Sequence, residues 1–277
     1  MNFDKFELIE DLVDIAINED LKNGDPSSEI IFKNSQSKYN LILKEDAVVS
    51  GIEVLKYVFN KVDENLTFEN FLVDSFHKSC ILGTICGDEE SILSAERTAL
   101  NFIQRMSSVA TATYNLKNLI NHSNVELIDT RKTIPGWRVL DKYSVQVGGG
   151  KNHRMNLGEL IMIKDNHYDE NNIKKIIENG KKRFPDLKIE IEVENLSQLK
   201  NIINERIDII MLDNWPLNSV GEAIKFIRDN SPKLLIEISG GIHEGNIAKY
   251  AQFAPDFISS GSITHSPKSI DLSLERA

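Results

Sequence analysis

The chain has 277 residues, of which 41% are hydrophobic and 27% charged, and its formal net charge is -10. This composition is typical of a globular protein with one large core or two smaller ones. No apolar run approaches the ~20 residues of a membrane span, and the acidic N-terminus lacks the pattern of a signal or transit peptide, so a cytoplasmic protein without membrane or nucleic-acid partners is expected. Cys80 and Cys86 lie outside any CxxC motif, which argues against a disulfide framework or a zinc site.

The first 120 residues predict a small layer that mixes helices and strands. Apolar residues recur at helical spacing in some segments and alternate in others. Helices are predicted over 6–21, 52–62, 91–106 and 107–120, and strands within 38–50, 66–76 and 81–86. We place the end of a first domain at residue 106.

From residue 125 onward, apolar runs alternate with helical segments, and each run stops at polar or glycine residues. The runs cover 125–128, 160–163, 189–193, 207–212, 234–238 and 257–258. Alternating strands and helices predict a parallel sheet covered on both faces, for which a β/α barrel fits best. An open doubly wound sheet is the alternative, but no glycine fingerprint follows the first run.

In a β/α barrel, residues at the carboxyl ends of the strands share one active face. Here that face would bring cations, carboxylates and glycine turns around a single pocket. The residues concerned are Arg131, Lys164, Glu192, Asp213, Ser239 and Gly261.

Positive charge is concentrated between Asp129 and Lys164. Seven lysines and arginines stand there against three carboxylates, a local charge of +4 in a chain of -10. Nucleic acid would require a broad basic face, so one cationic segment favours a small, multiply charged anion. Arg131, Lys132 and Arg154 offer groups suited to carboxylates, each contact contributing ~1.5–3 kcal/mol.

The triplet Gly148–Gly150 follows a predicted helix over 137–147. Alone, such a triplet is more often a helix C-cap than a phosphate cradle. Its position directly before Lys151–Arg154 favours a functional loop, because glycine lets a backbone approach a ligand closely. His153 by itself would more often be structural.

Glu192 and Asp213 end successive strands, a placement that suits Mg²⁺ held directly or through water against a substrate phosphate. The alternative is a salt bridge with Lys164. Glu190 and Glu194 share the side of Glu192 in strict alternation, so periodicity does not choose among these glutamates.

Glycine-containing turns end the last two predicted strands. They are Ser239–Gly241 and Ser260–Ser262. Barrels commonly bind phosphate through backbone N–H groups at this position, so the two turns predict a phosphate subsite.

Eight motifs in order resemble the quinolinate phosphoribosyltransferase family, type II phosphoribosyltransferases of NAD biosynthesis. They are AERTALNFIQRMSSVAT at 95–111, DTRKTIPGWR at 129–138, VGGGKNHR at 147–154, LIMIKDNH at 160–167, IEVE at 191–194, MLDN at 211–214, EISGG at 237–241 and SSGSITHS at 259–266. The resemblance implies an N-terminal α/β sandwich domain at 1–106 and an incomplete C-terminal β/α barrel at 107–277, with the extreme C-terminus free to return to the first domain. It also implies a homodimer or a hexamer of dimers.

The resemblance further implies the reaction and its participants. Phosphoribosyl pyrophosphate and quinolinate would react, with Mg²⁺ as cofactor, to give nicotinate mononucleotide, pyrophosphate and CO₂. Lys132, Lys164, Glu192 and Asp213 would be catalytic, with Glu192 and Asp213 also near the metal. The implied substrate-binding residues are these four together with Arg97, Thr130, Arg131, His153, Arg154, Ser239, Gly240, Gly241, Ser260, Gly261 and Ser262. Arg97 would reach the site of a neighbouring subunit.

Several positions depart from the family pattern without removing a charged site residue. They are Ser108, Trp137, Asn156, Glu159 and the GDPSS segment at 24–28. A relative associated with molybdenum-transport operons shares the DTRKT and GGG motifs but lacks a clean KDNH, which is intact here at 164–167. Two more hypotheses stay open, a barrel aldolase with Lys164 as Schiff-base nucleophile and a non-catalytic anion-binding protein.

Overall fold

A computed structural model describes residues 7–32, 34–164, 167 and 172–277 of the chain. Its contacts divide into two compact units, the first formed by Met1–Tyr114, Thr133–Gly149 and Ser266–Ala277, and the second by Asn115–Lys132 and Gly150–His265. The chain therefore passes between the units more than once. No helix in the described ranges is long and apolar enough to cross a membrane.

Helices and strands alternate along most of the chain. In chain order the elements are α1 (Glu7–Leu21), α2 (Pro26–Ile31), β1 (Gln36–Leu43), β2 (Ala47–Val48), α3 (Ile52–Val62), β3 (Thr67–Glu69), β4 (Phe76–His77), β5 (Cys80–Asp88), α4 (Glu89–Asn118), β6 (Glu126–Ile128), α5 (Arg138–Val147), β7 (Ile161–Ile163), α6 (Ile173–Arg183), β8 (Ile189–Val193), α7 (Leu196–Ile202), β9 (Ile209–Asp213), α8 (Leu217–Asn230), β10 (Leu235–Ser239), α9 (Ile247–Ala251), β11 (Phe257–Ser259), α10 (Ser262–His265) and β12 (Leu272–Arg276).

The first unit contains a four-stranded sheet in the order β12-β1-β5-β3. Strand β1 pairs antiparallel with both β5 and β12, so that Leu41 lies opposite Gly83 on one side and Leu274 on the other. The end of the chain thus returns to this sheet. An apolar core that includes Leu41, Phe59 and Phe102 fills the unit.

Helix α4 is one helix of 30 residues, so the prediction of two helices meeting at residue 106 was wrong. The serines at the expected break do not stop it. The Ser108 hydroxyl donates to the carbonyl of Gln104 over 2.6 Å, and Ser107 is buried against Ser50. Hydroxyls that bond the preceding turn or a tertiary partner can stay inside a helix.

The second unit contains a six-stranded sheet in the order β6-β11-β10-β9-β8-β7, and every pairing in it is parallel. All six predicted strands are confirmed. No ladder joins β6 to β7 in the part of the chain described, so the barrel is incomplete. All five residues of β8 are buried, as expected for a strand covered on both faces.

The edge of β6 is bordered by the segment that follows the glycine triplet. The backbone N–H of Lys151 donates to Leu127 over 2.8 Å, and the N–H of Asp129 donates to Lys151 over 3.1 Å. This segment carries His153 and Arg154 to the strand ends.

Two elements went unpredicted, and one predicted strand is interrupted. Helix α2 is short and starts at Asp25, whose side chain accepts the N–H groups of Ser27 and Ser28. Strand β12 lies near the end of the chain. The segment 66–76 forms only the short strands β3 and β4, with a loop between them.

Candidate active site

A cavity of about 420 Å³ opens at the carboxyl ends of the strands in the second unit. Eleven residues predicted for the site line it, and they are Thr130, Arg131, Lys132, His153, Arg154, Lys164, Glu192, Asp213, Ser239, Gly240 and Gly241. Five further residues complete the wall, namely Met162, Met211, Asn214, Glu237 and Ser259. The sequence motifs therefore converge on one cavity.

The turn Ser260–Ser262 is absent from this lining. The Ser260 hydroxyl is buried and donates to the carbonyl of Ile242 over 2.8 Å. The turn instead borders Lys132, because a Cβ added to Gly261 would lie 3.0 Å from the Lys132 Cδ. The hydroxyl of Thr264, in α10, donates to the Lys132 carbonyl over 2.8 Å. In this geometry the turn positions Lys132.

Arg97 belongs to the first unit, where its exposed side chain lines another cavity with Leu12, Asn101 and Trp137 among others. The role predicted for it depends on a neighbouring subunit and stays a prediction. Asp165 and Asn166 of the KDNH motif lie outside the described residues.

The count of cations in the sequence overstated the charge at the cavity. Arg138 and Lys142 belong to the first unit, and Lys142 is fully buried there. Lys151 is exposed and pairs with Glu126 at 3.3 Å. Four of the seven cations line the cavity, and they are Arg131, Lys132, Arg154 and Lys164.

The glycine triplet caps a helix, as such triplets more often do. Gly148 follows the last residue of α5, and Gly149 has a φ of 86°. A Cβ on Gly148 would lie 2.3 Å from the carbonyl of Ala110, so the backbone passes too close for a larger residue. None of the three glycines lines the cavity.

A fully buried carboxylate, Asp129, holds the segment that carries the site cations. Its oxygens accept the backbone N–H of His153 over 2.8 Å and the side-chain amide of Asn152 over 2.6 Å. Arg154 follows, and its guanidinium donates to the Leu160 carbonyl over 3.1 Å. Burial, with repulsion from Arg131, lowers the pKa of Arg154. These contacts orient both residues before any ligand binds.

Behind His153 lie two buried carboxylates, Glu190 on β8 and Glu237 on β10. The imidazole Nε2 is 3.0 Å from Glu190 Oε2 and 3.5 Å from Glu237 Oε2. The first contact is a close ion pair, and both Glu190 oxygens lack a hydrogen-bond partner among the described residues. Glu190 is 0% exposed and Glu237 1%.

Contacts within the cluster shift the pKa values of His153 and Glu190. Burial lowers the pKa of His153, but contacts with Glu190 and Glu237 outweigh burial and raise it to about 10. Burial and repulsion from Glu237 raise the pKa of Glu190 to about 7, although His153 opposes them. The cluster therefore retains protons that isolated groups would lose.

One contact opposes a charged imidazole. The backbone N–H of Arg154 donates to His153 Nδ1 over 2.7 Å, which requires that nitrogen to be unprotonated. Such a hydrogen bond contributes about 0.5–1.5 kcal/mol, whereas a buried charge left without a partner costs several kcal/mol. The carboxylates therefore decide the charge of the ring, and a charged His153 gives up the Arg154 contact.

Two carboxylates of the cavity, Glu192 and Asp213, stand at the ends of neighbouring strands. The Lys164 ammonium lies 2.9 Å from Glu192 Oε2, so the alternative predicted salt bridge is present. Asp213 accepts the side-chain amide of Asn214 over 2.6 Å. Glu194 is exposed and Glu190 contacts His153, so the structure distinguishes three glutamates that alternation could not.

The turn Ser239–Gly241 packs tightly against Asn214. The Asn214 backbone N–H donates to the Ser239 carbonyl over 2.9 Å. Gly240 has a φ of 90°, and a Cβ there would lie 2.3 Å from Asn214 Oδ1. Only glycine fits this position, which brings the backbone close to the cavity.

Sequence reasoning missed three residues that shape the site, namely Asp129, Glu190 and Glu237. Asp129 and Glu237 stand inside the family motifs, next to residues with an implied role, and alternation treats Glu190 like its neighbouring glutamates. The signal that would have found Glu190 and Glu237 is a carboxylate inside an apolar strand, which requires a buried partner.

Family comparisons agree with the fold and the motifs. The chain matches the family models described as quinolinate phosphoribosyl transferase, N-terminal domain, over 25–107 and C-terminal domain over 109–275. It is similar to a Mycobacterium leprae protein named nicotinate-nucleotide pyrophosphorylase, carboxylating, with 31% identity covering 98% of each chain. A Methanocaldococcus jannaschii protein named as a probable enzyme of this kind is 38% identical over 90% of each chain.

A solved structure leads to the same assignment. The nicotinate-nucleotide pyrophosphorylase of Francisella tularensis superposes with a TM-score of 0.92 at 35% identity, covering 98% of this chain and 96% of its own. Both domains and the whole length of the fold are thus shared. The chain belongs to the quinolinate phosphoribosyltransferase family.

Proposed function

We propose that the chain transfers the phosphoribosyl group of phosphoribosyl pyrophosphate to quinolinate. Loss of CO₂ then gives nicotinate mononucleotide, in a step of de novo NAD biosynthesis. The observation that carries this proposal is that one cavity gathers three cations, Arg131, Arg154 and Lys164, together with two carboxylates and a glycine turn. The cations suit a dicarboxylate, and the carboxylates and the turn suit a ribose phosphate.

Quinolinate would bind against the cationic side. Its two carboxylates can accept charge-assisted hydrogen bonds from Arg131 and Arg154, whose planar guanidinium groups suit carboxylates. His153 lies in the same wall. Binding there would place the pyridine nitrogen toward Glu192 and Asp213. Alignment of the two reactants supplies a large part of such a rate enhancement.

The two carboxylates of the cavity fit Mg²⁺, which we propose as the cofactor. Glu192 and Asp213 provide carboxylate oxygens, the donors that Mg²⁺ prefers, and two carboxylates are typical where substrate phosphates and water complete the coordination. When bound, Mg²⁺ would neutralise charge on the pyrophosphate leaving group. Ser239–Gly241 would contact phosphate oxygens through the backbone.

The transfer step forms a bond between the pyridine nitrogen and the anomeric carbon and breaks the bond from that carbon to pyrophosphate. If breaking runs ahead of forming, positive charge grows on the ribose. Glu192 and Asp213 carry fixed negative charge at this end of the cavity and would stabilise that charge. Lys132, which is placed by Thr264 and Gly261, would lie near both substrates.

The decarboxylation step follows from the new positive charge. Once the ring nitrogen is quaternary, the bond from the adjacent carbon to its carboxylate can break, and the electron pair stays beside N⁺. CO₂ leaves, and the carbon takes up one proton. Excluding water around Lys132 and Lys164 would strengthen the electrostatic interactions that favour this step.

The direct test supplies purified protein with quinolinate, phosphoribosyl pyrophosphate and Mg²⁺, with nicotinate replacing quinolinate in a parallel reaction. We expect equal amounts of pyrophosphate and CO₂ with quinolinate, and no pyrophosphate with nicotinate. Product release only with nicotinate, or none in either reaction, would contradict the proposal.

The aldolase hypothesis is disfavoured by the surroundings of Lys164. A Schiff-base lysine requires a neutral, desolvated amine. The Lys164 side chain is 43% exposed and lies 2.9 Å from Glu192. Borohydride treatment in the presence of a carbonyl substrate should therefore leave the protein unmodified.

We also propose a homodimer, or a hexamer of dimers, in which Arg97 serves the site of a neighbouring subunit. The support is the family together with the exposed position of Arg97 on α4. Arg97→Ala and Glu192→Gln should each lose activity alone. Mixing the two variants after subunit exchange should restore about a quarter of it, because some sites would then contain both native residues. No recovery despite exchange would place Arg97 elsewhere.

A further inference from the structure

We infer that Glu190 and Glu237 are positioning residues that keep His153 as a charged imidazolium and thereby set the positive charge of the quinolinate side of the cavity. That the ligand is quinolinate rests on the proposed function. The charge of His153 does not rest on it, because this charge is a property of the protein without ligand.

The first support is the position of the two carboxylates. Both are buried, Glu190 on β8 and Glu237 on β10, and both place an oxygen within 3.5 Å of His153 Nε2. Both oxygens of Glu190 and Oε1 of Glu237 lack hydrogen-bond partners within the described ranges. Buried carboxylates need a counter-charge or a shared proton, and a charged imidazole would supply a counter-charge to both.

The second support is the set of charges around His153. Asp129 accepts the backbone N–H of His153, and the ring Nδ1 accepts the backbone N–H of Arg154. Arg154 contributes some positive charge near Glu190, and Arg131 lies near Arg154. Lys164 is paired with Glu192. The residue near the centre of strand β9 that lines the main cavity is the uncharged Met211. The carboxylates of Glu190 and Glu237 lie against the imidazole Nε2.

The third support is that His153 lines two cavities. It faces the main cavity, and with Glu237 it also lines a smaller one bordered by Ile128, Asn152 and Phe257. The cluster therefore forms part of the wall between the quinolinate side and a second opening. A change in its charge would be felt directly by an anion in the main cavity.

A metal ion is the competing occupant, because the three side chains place donor atoms within 4.8 Å of one another. Metal binding would remove the Nε2 proton and leave a neutral ligand. The 3.0 Å separation of Nε2 from Glu190 instead matches a direct ion pair. The charge of the ring therefore separates the two possibilities.

The test is a nuclear magnetic resonance titration of the full-length protein with ¹⁵N-labelled histidine, between pH 5 and 10.5. The chain has six histidines, so His153→Asn identifies the signals of His153. We expect both ring nitrogens of His153 to stay protonated above pH 8. Glu190→Gln and Glu237→Gln should each lower the midpoint by at least one pH unit, a tenfold weaker affinity for the proton.

The matched control is Glu194→Gln, because Glu194 follows the same strand but is exposed. It should leave the His153 midpoint unchanged. A wild-type midpoint near 6.5 would overturn the inference. A His153 midpoint that is the same in the wild type and in the Glu190→Gln and Glu237→Gln variants would also overturn it. A neutral ring accompanied by one equivalent of Zn²⁺ or Mn²⁺, after dialysis against either ion, would also overturn it. If a glutamine variant does not fold, the wild-type midpoint alone still decides.

Kinetics then link the charge to the ligand. Glu190→Gln should raise the KM for quinolinate at least tenfold above pH 7, leave the KM for phosphoribosyl pyrophosphate within twofold, and shift the pH profile of kcat/KM toward acid. Glu190→Asp should restore part of the loss. If His153 is charged but the protein has no transferase activity, the proposed function is contradicted and the inference about His153 still holds.

Discussion

The two units differ in how they use the charges that they bury. The first unit surrounds an apolar core that includes Phe59 and Phe102, and its buried carboxylates have partners inside the fold. Glu89 accepts the hydroxyls of Ser35 and Tyr39, and Asp141 pairs with Arg105. In the second unit the buried carboxylates of Glu192 and Glu237 line the cavity. Buried charge costs stability unless it is paired, so the first set serves the structure and the second is placed to meet a ligand.

The largest expected effect is a loss of stability when the apolar core of the first unit is disrupted. Phe102 is buried and stacks on Trp137, with ring centroids 4.8 Å apart. Phe102→Ala should lower the free energy of unfolding by about 3–5 kcal/mol, because it removes buried contacts and leaves a cavity. Chemical denaturation measures this. Ile15→Ala, at a side chain that is 65% exposed, should change stability by less than about 1 kcal/mol. Equal effects would contradict the assigned core.

The second prediction is a loss of activity when a buried carboxylate of the second unit is neutralised. Glu192→Gln keeps the shape of the side chain and removes its charge, so turnover should fall by about 10²–10³ while quinolinate affinity stays nearly constant. Steady-state kinetics measure both. Glu194→Gln, at the exposed position, should retain normal turnover. Unchanged turnover in Glu192→Gln would remove this carboxylate from the mechanism.

The third prediction concerns the cationic wall. Arg131→Lys preserves charge but loses the planar pair of donors, so the KM for quinolinate should rise by about 10- to 100-fold, equivalent to ~1.5–3 kcal/mol. The KM for phosphoribosyl pyrophosphate should be unaffected. Lys151→Arg, outside the cavity, is the control. A selective loss of phosphoribosyl pyrophosphate affinity would reverse the assignment of the two sides.

The fourth prediction is a dependence of stability on pH. The folded-state pKa values of His153, about 10 against 6.5, and Glu190, about 7 against 4.5, are both raised. The folded protein thus binds protons more tightly than the unfolded chain. The stabilisation is full below the unfolded pKa values. The part due to Glu190 is lost as the pH rises from about 4.5 to about 7, and the part due to His153 as the pH rises from about 6.5 to about 10.

Denaturation at a series of pH values measures this slope. The double variant Glu190→Gln with Glu237→Gln should show a flatter profile than the native chain over the same range. Parallel profiles would mean that other groups, and not this cluster, determine the pH dependence.

The smallest expected effect compares adjacent glycines in the phosphate turn. Gly240→Ala meets Asn214 and also has a positive φ, whereas Gly241→Ala has a φ of 60° and nothing within 4 Å. A positive φ alone costs about 1–2 kcal/mol. Gly240→Ala should therefore be the less stable variant, with the higher KM for phosphoribosyl pyrophosphate. The reverse order would contradict the packing of this turn.

The departures from the family pattern make local contacts of their own. Ser108 accepts the backbone N–H of Ile270 over 3.1 Å, which holds the chain before β12. Trp137 stacks on Phe102. Asn156 accepts the N–H of Gly158 over 2.8 Å and donates to Glu159 over 3.2 Å. None of these residues lines the main cavity, so the departures leave its chemistry intact.

Local pattern predicted the strands of the barrel well, because a strand covered on both faces is a nearly continuous apolar run. The same reasoning predicted that the strand ends would share a pocket, since parallel strands present their carboxyl ends on one side. It failed at α4, where two helices were predicted in place of one that contains Ser107 and Ser108. Their hydrogen bonds to Gln104 and Ser50 become visible only when distant parts of the chain meet.

By itself, the sequence determined the family, the barrel strands and most residues of the cavity, because each depends on motifs or on local periodicity. Tertiary structure alone decided which charges act together. It assigned Lys142 to the first unit, separated Glu190 from Glu192 by their partners, and placed Glu237 beside His153. The physical reason is that the effect of a charge depends on its burial and on the neighbours within a few ångströms. The order of residues along the chain gives neither the burial nor the distances.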